Sequence, residues 1–372
     1  ALATATGIPV GDTQAGKGAI NFDHPSAVGG VGSTGCDSGN HIADKADLII
    51  GVGTRYSDFT TASKTQFKNP DVKFVNINVT PFDAAKESAE MVVADAREAL
   101  AALTEALADY RVEAAYSEEI AAEKEAWLKA TERCYHLDHG PLPAQTEVFG
   151  ALNELMGEED VVINAAGSMP GDLQALWQAR SPLQYHVEYA FSCMGYEVPA
   201  AMGVKLARPE AEVVSIVGDG TYQMLPMELA TVVQENIKVI YVLLQNYGFC
   251  SIGALSESRG SQRFGTKYRR RGEGSHLADE QVIDGVDIAA NARSWGLDVL
   301  EVHTIAEFKE AYRQAEASDR PTMIHIETDL YGPNPPGSSW WDVPVSGVSE
   351  LESTQRAYEE YLRDRKPQRH YL

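Results

Sequence analysis

Cysteine is scarce: four residues in 372, at Cys36, Cys134, Cys193 and Cys250. None forms a CxxC pair for zinc or redox work, and four are too few to staple a chain of this length. They are read as buried thiols of a reducing compartment. Basic residues are also short, with 31 Lys plus Arg against 54 Asp plus Glu and a formal charge of -23. A body so acidic repels polyanions at long range, which argues against nucleic acid or an anionic membrane as partners. No apolar run approaches 18 residues, and the first residues carry neither a basic nor an apolar leader segment. No membrane span or secretory signal is therefore claimed, and the chain is expected in the cytoplasm. Solenoid-period repeats and low-complexity tracts are missing too. What is there is ordinary globular composition, 44% hydrophobic and 23% charged, at a length that suits two or three domains better than one core.

Residues 46–51 (ADLIIG) and 73–78 (KFVNIN) read as strands, and 83–89 and 95–108 as helices, the rhythm of a parallel α/β domain over residues 1–106. Residues 107–143 turn polar and helical, ending in Gly140-Pro141-Leu142-Pro143, and are expected to connect domains. Strands return at 160–164, 212–217, 238–244 and 322–327, with amphipathic helices such as 225–234 between them. Their near-continuous Val/Ile content suits strands buried on both faces of a parallel sheet, in a second domain at 144–331. The fold class is thus α/β, with two doubly wound parallel-sheet domains. A proline-rich tail from Gly332, closing in a charged helix toward Tyr371, is expected to lie as an arm over the surface or over a neighbouring subunit.

Two polar turns carry the chemistry. Strand 212–217 runs into Gly218-Asp219-Gly220-Thr221, and strand 238–244 runs into Gln245-Asn246-Tyr247-Gly248. Ligands of open α/β sheets bind at the carboxyl ends of strands, so the two turns can converge. Gly218 and Gly220 admit a phosphate close to backbone amides, and Thr221 adds a hydroxyl at the start of the following helix. An acidic protein needs a local cation to hold a diphosphate. Asp219, the Asn246 amide oxygen and the Gly248 carbonyl form the oxygen-only set that magnesium prefers. Either turn alone reads as ordinary loop chemistry. Their separation of 27 residues, enough for a loop, a helix and a strand, makes the joint reading the better one.

In these turns the sequence resembles the thiamine-diphosphate-dependent enzymes of the acetolactate synthase and pyruvate decarboxylase type, with Gln245 where the first Asn is usual. The resemblance implies that Asp219, Asn246 and Gly248 hold magnesium while Gly220 and Thr221 seat the diphosphate of thiamine diphosphate. It implies a second diphosphate turn at Gly167-Ser168-Met169. It also implies a wedge segment, Ser192-Cys193-Met194-Gly195-Tyr196, in which Met194 bends the cofactor and the Ser192 carbonyl accepts from its aminopyrimidine. Runs such as Thr13-Gln14-Ala15-Gly16-Lys17-Gly18, Gly265-Thr266-Lys267-Tyr268-Arg269 and Ser339-Trp340-Trp341-Asp342-Val343-Pro344 extend the likeness to the branch that hydrolyses a trihydroxycyclohexane-1,2-dione in inositol catabolism.

The implied function is ring opening of that cyclic dione to 5-deoxyglucuronate by a homodimer or homotetramer. Members of the family begin with a pyrimidine-binding domain that presents an activating glutamate. This chain corresponds to the segments after it, so its partner is expected to be that domain, as an upstream segment or a separate chain, and the chain alone is expected to be inert. The rival readings are an acetolactate synthase-like carboligase or 2-oxo acid decarboxylase, and a non-catalytic nucleotide-binding subunit. Proton-transfer groups are not identified by the sequence; His186, Glu188, Tyr196 and Gln223 are candidates, with Glu188 and Glu197 as alternative activating carboxylates. Three signals are discounted. Gly30-x-Gly32-x-x-Gly35 fits a dinucleotide fingerprint, but residues 21–26 before it form no strand. His136-Leu137-Asp138-His139 lacks a ligand cluster, and Arg269-Arg270-Arg271 reads as a local clamp or ion-pair face.

Overall fold

A computed structural model describes residues 1–263, 265–271, 277–282 and 286–369. The first part holds strands β1 (Val10–Asp12), β2 (Ala27–Gly30), β3 (Leu48–Val52), β4 (Lys73–Asn78) and β5 (Glu90–Val93). β1 pairs with β2, and β3, β4 and β5 form a three-stranded sheet in that order, all parallel. The second part supplies β6 (Val161–Asn164), β7 (Tyr185–Val187), β8 (Val213–Gly218), β9 (Ile240–Gln245), β10 (Arg269–Arg271), β11 (Leu277–Val282), β12 (Asp298–Val302) and β13 (Thr322–Glu327). Six of these make a wholly parallel sheet in the order β12-β13-β9-β8-β6-β7, and β10 with β11 forms an antiparallel pair.

The six-stranded sheet is buried on both faces because successive side chains of each strand point opposite ways. Val214, Ile216, Val242 and Ile324 meet Phe149, Leu152, Phe308 and Tyr312 on one side. Val213, Val217, Tyr241 and Met323 meet Val198, Leu229 and Ile288 on the other. Helices Gln145–Leu155 and Ile305–Ala317 cover the first face, and Glu197–Ala207, Glu228–Gln234 and Ile288–Trp295 the second. Asp287 and Thr304 cap two of these helices with their side chains, satisfying N–H groups that have no partner within the helix.

Several expectations are corrected. Residues 83–89 are not one helix: a short turn Pro81–Ala84 gives way to Lys86–Ser88, where Glu87 and Ser88 take φ of 61° and 52°, left-handed values that end an α-helix. Residues 21–26 form no strand, as expected, but β2 begins at Ala27 and ends at Gly30, and helix Asp37–Lys45 follows. That strand-turn-helix is nevertheless closed by the chain's own backbone. A Cβ on Gly32 would stand 2.1 Å from the Phe59 carbonyl oxygen, and one on Gly35 2.5 Å from that of Gly30. Of the cysteines only Cys36 is buried, and Cys193 is exposed.

The connecting helix, Ala114–Tyr135, is more than a surface strut. Its Trp127 Nε1 donates to the Ala175 carbonyl at 2.8 Å and its Tyr135 hydroxyl to the Leu176 carbonyl at 2.7 Å. The arm docks on the chain's own first part. Trp341 Nε1 donates to Asp58 Oδ2 at 2.8 Å, Asn40 Nδ2 donates to the Gly337 carbonyl at 2.8 Å, and the rings of Phe59 and Trp341 lie 4.9 Å apart. The arm's helix is Glu352–Asp364, and residues 370–372 of the expected arm lie outside the described residues.

Candidate cofactor site

From β6 the chain crosses outward to β7 and then returns to the opposite side of β6 for β8 and β9. Strand order reverses there, so the crossovers diverge and leave a crevice at the carboxyl ends of β6 and β8. The predicted segments 167–169, 218–221 and 246–248 follow β6, β8 and β9 in that row.

Asp219 is buried, 1% exposed. Its Oδ1 accepts the Gly220 N–H at 2.7 Å, and its Oδ2 accepts those of Asn246 at 3.3 Å and Gly248 at 3.2 Å. Burial pushes the carboxyl up to about 6 while these bonds pull it back. Beside it, Asn246 Oδ1 is buried with no hydrogen-bond partner among the described residues. A buried carboxylate supported only by neutral donors, next to an orphaned amide oxygen, is an oxygen-donor set that fits a hard divalent cation. Among the described residues no cluster of three His, Cys, Asp or Glu exists. A cation bound here would thus take one protein carboxylate and leave room for oxygens from a ligand.

Gly220 and Thr221 lie inside the helix Asp219–Tyr222, which begins where expected but has only 4 residues. Anion binding at this turn therefore rests on local amides and a cation rather than on a macrodipole, which sums over a longer helix. Gly220 permits the approach of Phe249, whose ring would lie 2.8 Å from a Cβ at that position, and the Gly248 carbonyl oxygen would lie 3.6 Å from the same point. Across the crevice Gly167 has φ 91°, and the Met169 methyl would sit 3.6 Å from a Cβ on Gly218, so turn 167–169 touches the Asp219 turn. Gln145 donates to Ser168 Oγ at 3.1 Å and to Asp172.

The segment 192–196, expected as a wedge, is tied to the start of turn 167–169 through Glu197, which accepts the N–H groups of Ala166 and Gly195. Ser192 has φ 51° and Tyr247 φ 59°, and a left-handed non-glycine residue costs about 1–2 kcal/mol. Strain of this kind collects where a carbonyl must be aimed. Here it stands at the two segments whose Ser192 and Gly248 carbonyls the sequence singled out. Met194 is half-buried and Cys193 exposed. Gly195, φ 94°, packs so closely that a Cβ would lie 2.6 Å from Leu225 Cβ.

The remaining candidates fall into pairs. His186 Nε2 and the Tyr196 hydroxyl are 2.8 Å apart with stacked rings, and burial lowers the proton affinity of His186. Glu188 Oε2 accepts the Cys193 N–H at 2.6 Å, and Gln223 Nε2 donates to the Tyr268 hydroxyl at 2.8 Å. His136 faces Glu132 at 3.1 Å and His139 faces Asp329 at 2.7 Å, so the two histidines face different carboxylates. Sequence reasoning missed Gln145 and Asp172. Burial pushes the Asp172 carboxyl up to about 7, against the pull of its bond from Gln145. The only signal was a polar pair beside a Gly-Ser turn.

Two family profiles match in tandem. Residues 1–103 match the central domain of thiamine pyrophosphate enzymes, and residues 165–326 match their C-terminal thiamine-pyrophosphate-binding domain. The chain belongs to the thiamine pyrophosphate enzymes. Within this family it is 42% identical to a 3D-(3,5/4)-trihydroxycyclohexane-1,2-dione hydrolase 2 of Bacillus cereus, over 100% of this chain and 61% of that protein. It is 41% identical to the 3D-(3,5/4)-trihydroxycyclohexane-1,2-dione hydrolases of a second B. cereus strain and of Bacillus thuringiensis strain Al Hakam, over 98% of this chain and 60% of each. The chain thus spans about 60% of the length of these relatives. Thiamine pyrophosphate is the same molecule as thiamine diphosphate, so the matched binding domain contains the crevice of Asp219 and Asn246. Among the described residues, no helix is long and apolar enough to cross a membrane.

Proposed function

We propose that this chain forms the central and diphosphate-binding parts of a cytoplasmic thiamine-diphosphate-dependent carbon–carbon hydrolase. Its substrate in this reading is 3D-(3,5/4)-trihydroxycyclohexane-1,2-dione, opened to 5-deoxy-D-glucuronate in myo-inositol catabolism. The observation that carries the reading is the identity of about 40% along the whole chain to hydrolases named for that dione. The orphaned Asn246 oxygen beside Asp219 is the local chemistry that agrees with it. The units are a central domain at 1–106, a connector at 107–143, the diphosphate-binding domain at 144–331 and the arm at 332–372. The assembly is a homodimer or homotetramer, with an upstream pyrimidine-binding segment completing the cleft.

Asp219, Asn246 and the Gly248 carbonyl hold magnesium; Gly167, Ser168, Met169, Gly220 and Thr221 seat the diphosphate; Ser192 and Met194 orient the ring system. When bound, thiamine diphosphate supplies a carbanion that adds to a carbonyl and a sink for the electron pair of the breaking bond. In the net reaction the bond between the two carbonyl carbons breaks. Water oxygen ends in the carboxylate, and the other carbon takes a proton and becomes the aldehyde at the far end of the same open chain. The half-buried Met194 offers an apolar prop, and His186 with Tyr196 forms a pair able to hold or move a proton.

The test is the full-length enzyme incubated with the dione and separately with pyruvate, each with and without thiamine diphosphate and magnesium. Ring-opened carboxylate formed only with the cofactor and metal is the expected result. Acetolactate or carbon dioxide from pyruvate, with the dione untouched, would move the chain to the carboligase or decarboxylase branch.

A further inference from the structure

Glu197 is the most deeply buried carboxylate beside the crevice, with 0% of its surface exposed. Among the described residues it makes no ion pair. Burial of a charge without a partner is costly, so its two oxygens must be used otherwise, and they are. Oε1 accepts the Ala166 N–H at 3.2 Å, one residue before turn 167–169, and Oε2 accepts the Gly195 N–H at 3.1 Å, one residue after Met194. The Glu197 carbonyl oxygen also accepts from Ser215 Oγ at 3.0 Å, and Ser215 lies on β8, the strand that delivers Asp219. One residue therefore ties together the turn after β6, the wedge segment and the strand behind the metal turn.

We propose that Glu197 is a positioning residue that fixes the distance between the wedge segment and the diphosphate turn. The proposal rests on the cofactor reading given above. The segment from Phe191 to Cys193 is exposed and includes the left-handed Ser192. Glu188 ties it at the Cys193 N–H, and its anchorage to the buried core comes at Gly195 and Glu197. Only a carboxylate gives each of two facing N–H groups its own acceptor. Glutamine has one oxygen, and its amide would turn donors toward a donor. A wedge released from this tie still leaves Asp219, Asn246 and Gly248 in place, so retention of the diphosphate is separated from its alignment.

The experiment uses Glu197→Gln in the full-length enzyme. In the absence of cofactor, hydrogen exchange at the Ala166 and Gly195 amides is expected to accelerate selectively, while the amides of β8 keep their protection. With cofactor, affinity for magnesium thiamine diphosphate is expected to stay within about threefold. The kcat is expected to fall on the order of tenfold to a hundredfold, the scale of a misplaced reacting group. Should Glu197→Gln fail to fold, Ser215→Ala removes the third tie alone and carries the same split, smaller in size. Unchanged exchange at both amides, or affinity and kcat falling together, would overturn the proposal. If the wild-type enzyme binds no thiamine diphosphate, the cofactor reading fails, and the exchange data still judge the tie on their own.

Discussion

The Tyr247 hydroxyl donates to Glu327 Oε1 at 2.6 Å, so the turn after β9 is anchored to the end of β13, its neighbour in the sheet. Tyr247 is also left-handed at φ 59°, and the anchor is what holds a bulky residue in that conformation between Asn246 and Gly248. Tyr247→Phe removes the bond and keeps the ring. A hydrogen bond to a charged group contributes about 1.5–3 kcal/mol, part of which is spent on holding this turn. The magnesium-dependent affinity for thiamine diphosphate is expected to fall on the order of tenfold, with the magnesium-independent component unchanged. Equal affinities in calorimetric titrations of the two proteins would show that the turn needs no anchor.

Asp219 serves three backbone N–H groups as well as the proposed cation. Asp219→Ala is expected to abolish magnesium-dependent retention of the diphosphate, and the unpaired amides should lower stability too. Asp219→Asn separates the two effects in part: its single oxygen can still accept the Asn246 and Gly248 N–H groups that Oδ2 serves, while its NH2 meets the Gly220 N–H and the charge is lost. Cofactor titrations with and without magnesium should show both variants insensitive to the metal, with Asp219→Asn melting closer to the wild type. Retained metal dependence in Asp219→Asn would move the cation elsewhere.

Met194, in segment 192–196, is half-buried. If it props the bound ring system, Met194→Ala lowers kcat by more than it weakens binding. Steady-state kinetics beside a cofactor titration in the full-length enzyme measure both. Loss of affinity with undiminished turnover of the bound fraction would assign Met194 to binding alone.

The four cysteines differ in access. Burial pushes the Cys36 thiol up to about 11 and Cys250 up to about 12, whereas Cys193 is exposed beside Met194. Because the thiolate is the reacting form, a thiol reagent at pH 8 should modify Cys193 first. Magnesium thiamine diphosphate should slow that reaction and leave denatured-state labelling unaffected. Peptide mapping of the first label on Cys36 or Cys250 would contradict the exposure pattern.

The core of the fold was legible because its strands are apolar runs that end in polar turns. Residues 212–217 and 238–244 are buried on both faces and deliver Asp219 and Asn246 side by side, a pairing that spacing alone implies. β12 was not legible: DVLEV mixes two acidic residues with three apolar ones, without strict alternation, at the sheet edge. The break after Ala84 was hidden for another reason, since Glu87 and Ser88 carry no composition mark for a left-handed backbone. In the candidate site, the sequence singled out the residues proposed to face a ligand. It did not show what holds them, such as the Glu197 bonds to Ala166 and Gly195 or the Gln145 bond to Asp172, because those ties join positions up to 31 residues apart, through backbone amides in the first case and between side chains in the second.

Burial pushes the carboxyls of Glu197 and Asp172 up to about 7 from ordinary values of 4.5 and 3.8. Between those ordinary values and about 7 the folded chain therefore binds more protons than the unfolded chain. The contribution of each group to stability is fully present at low pH and is lost as pH rises through that window. For Glu197 alone the loss is roughly 3 kcal/mol. Surface carboxylates held below their ordinary range, such as Asp83 beside Lys86, act in the opposite sense, since their contribution is lost as pH falls. The informative quantity is accordingly a difference. Urea unfolding of wild type and Glu197→Gln without cofactor at pH 5 and pH 8 should show the wild type losing more stability, or gaining less, over that interval by a few kcal/mol. The glutamine stands for the protonated carboxyl and does not titrate. Identical changes in the two proteins would mean that Glu197 is ionised throughout, with its charge stabilised by the Ala166 and Gly195 amides more strongly than burial opposes it.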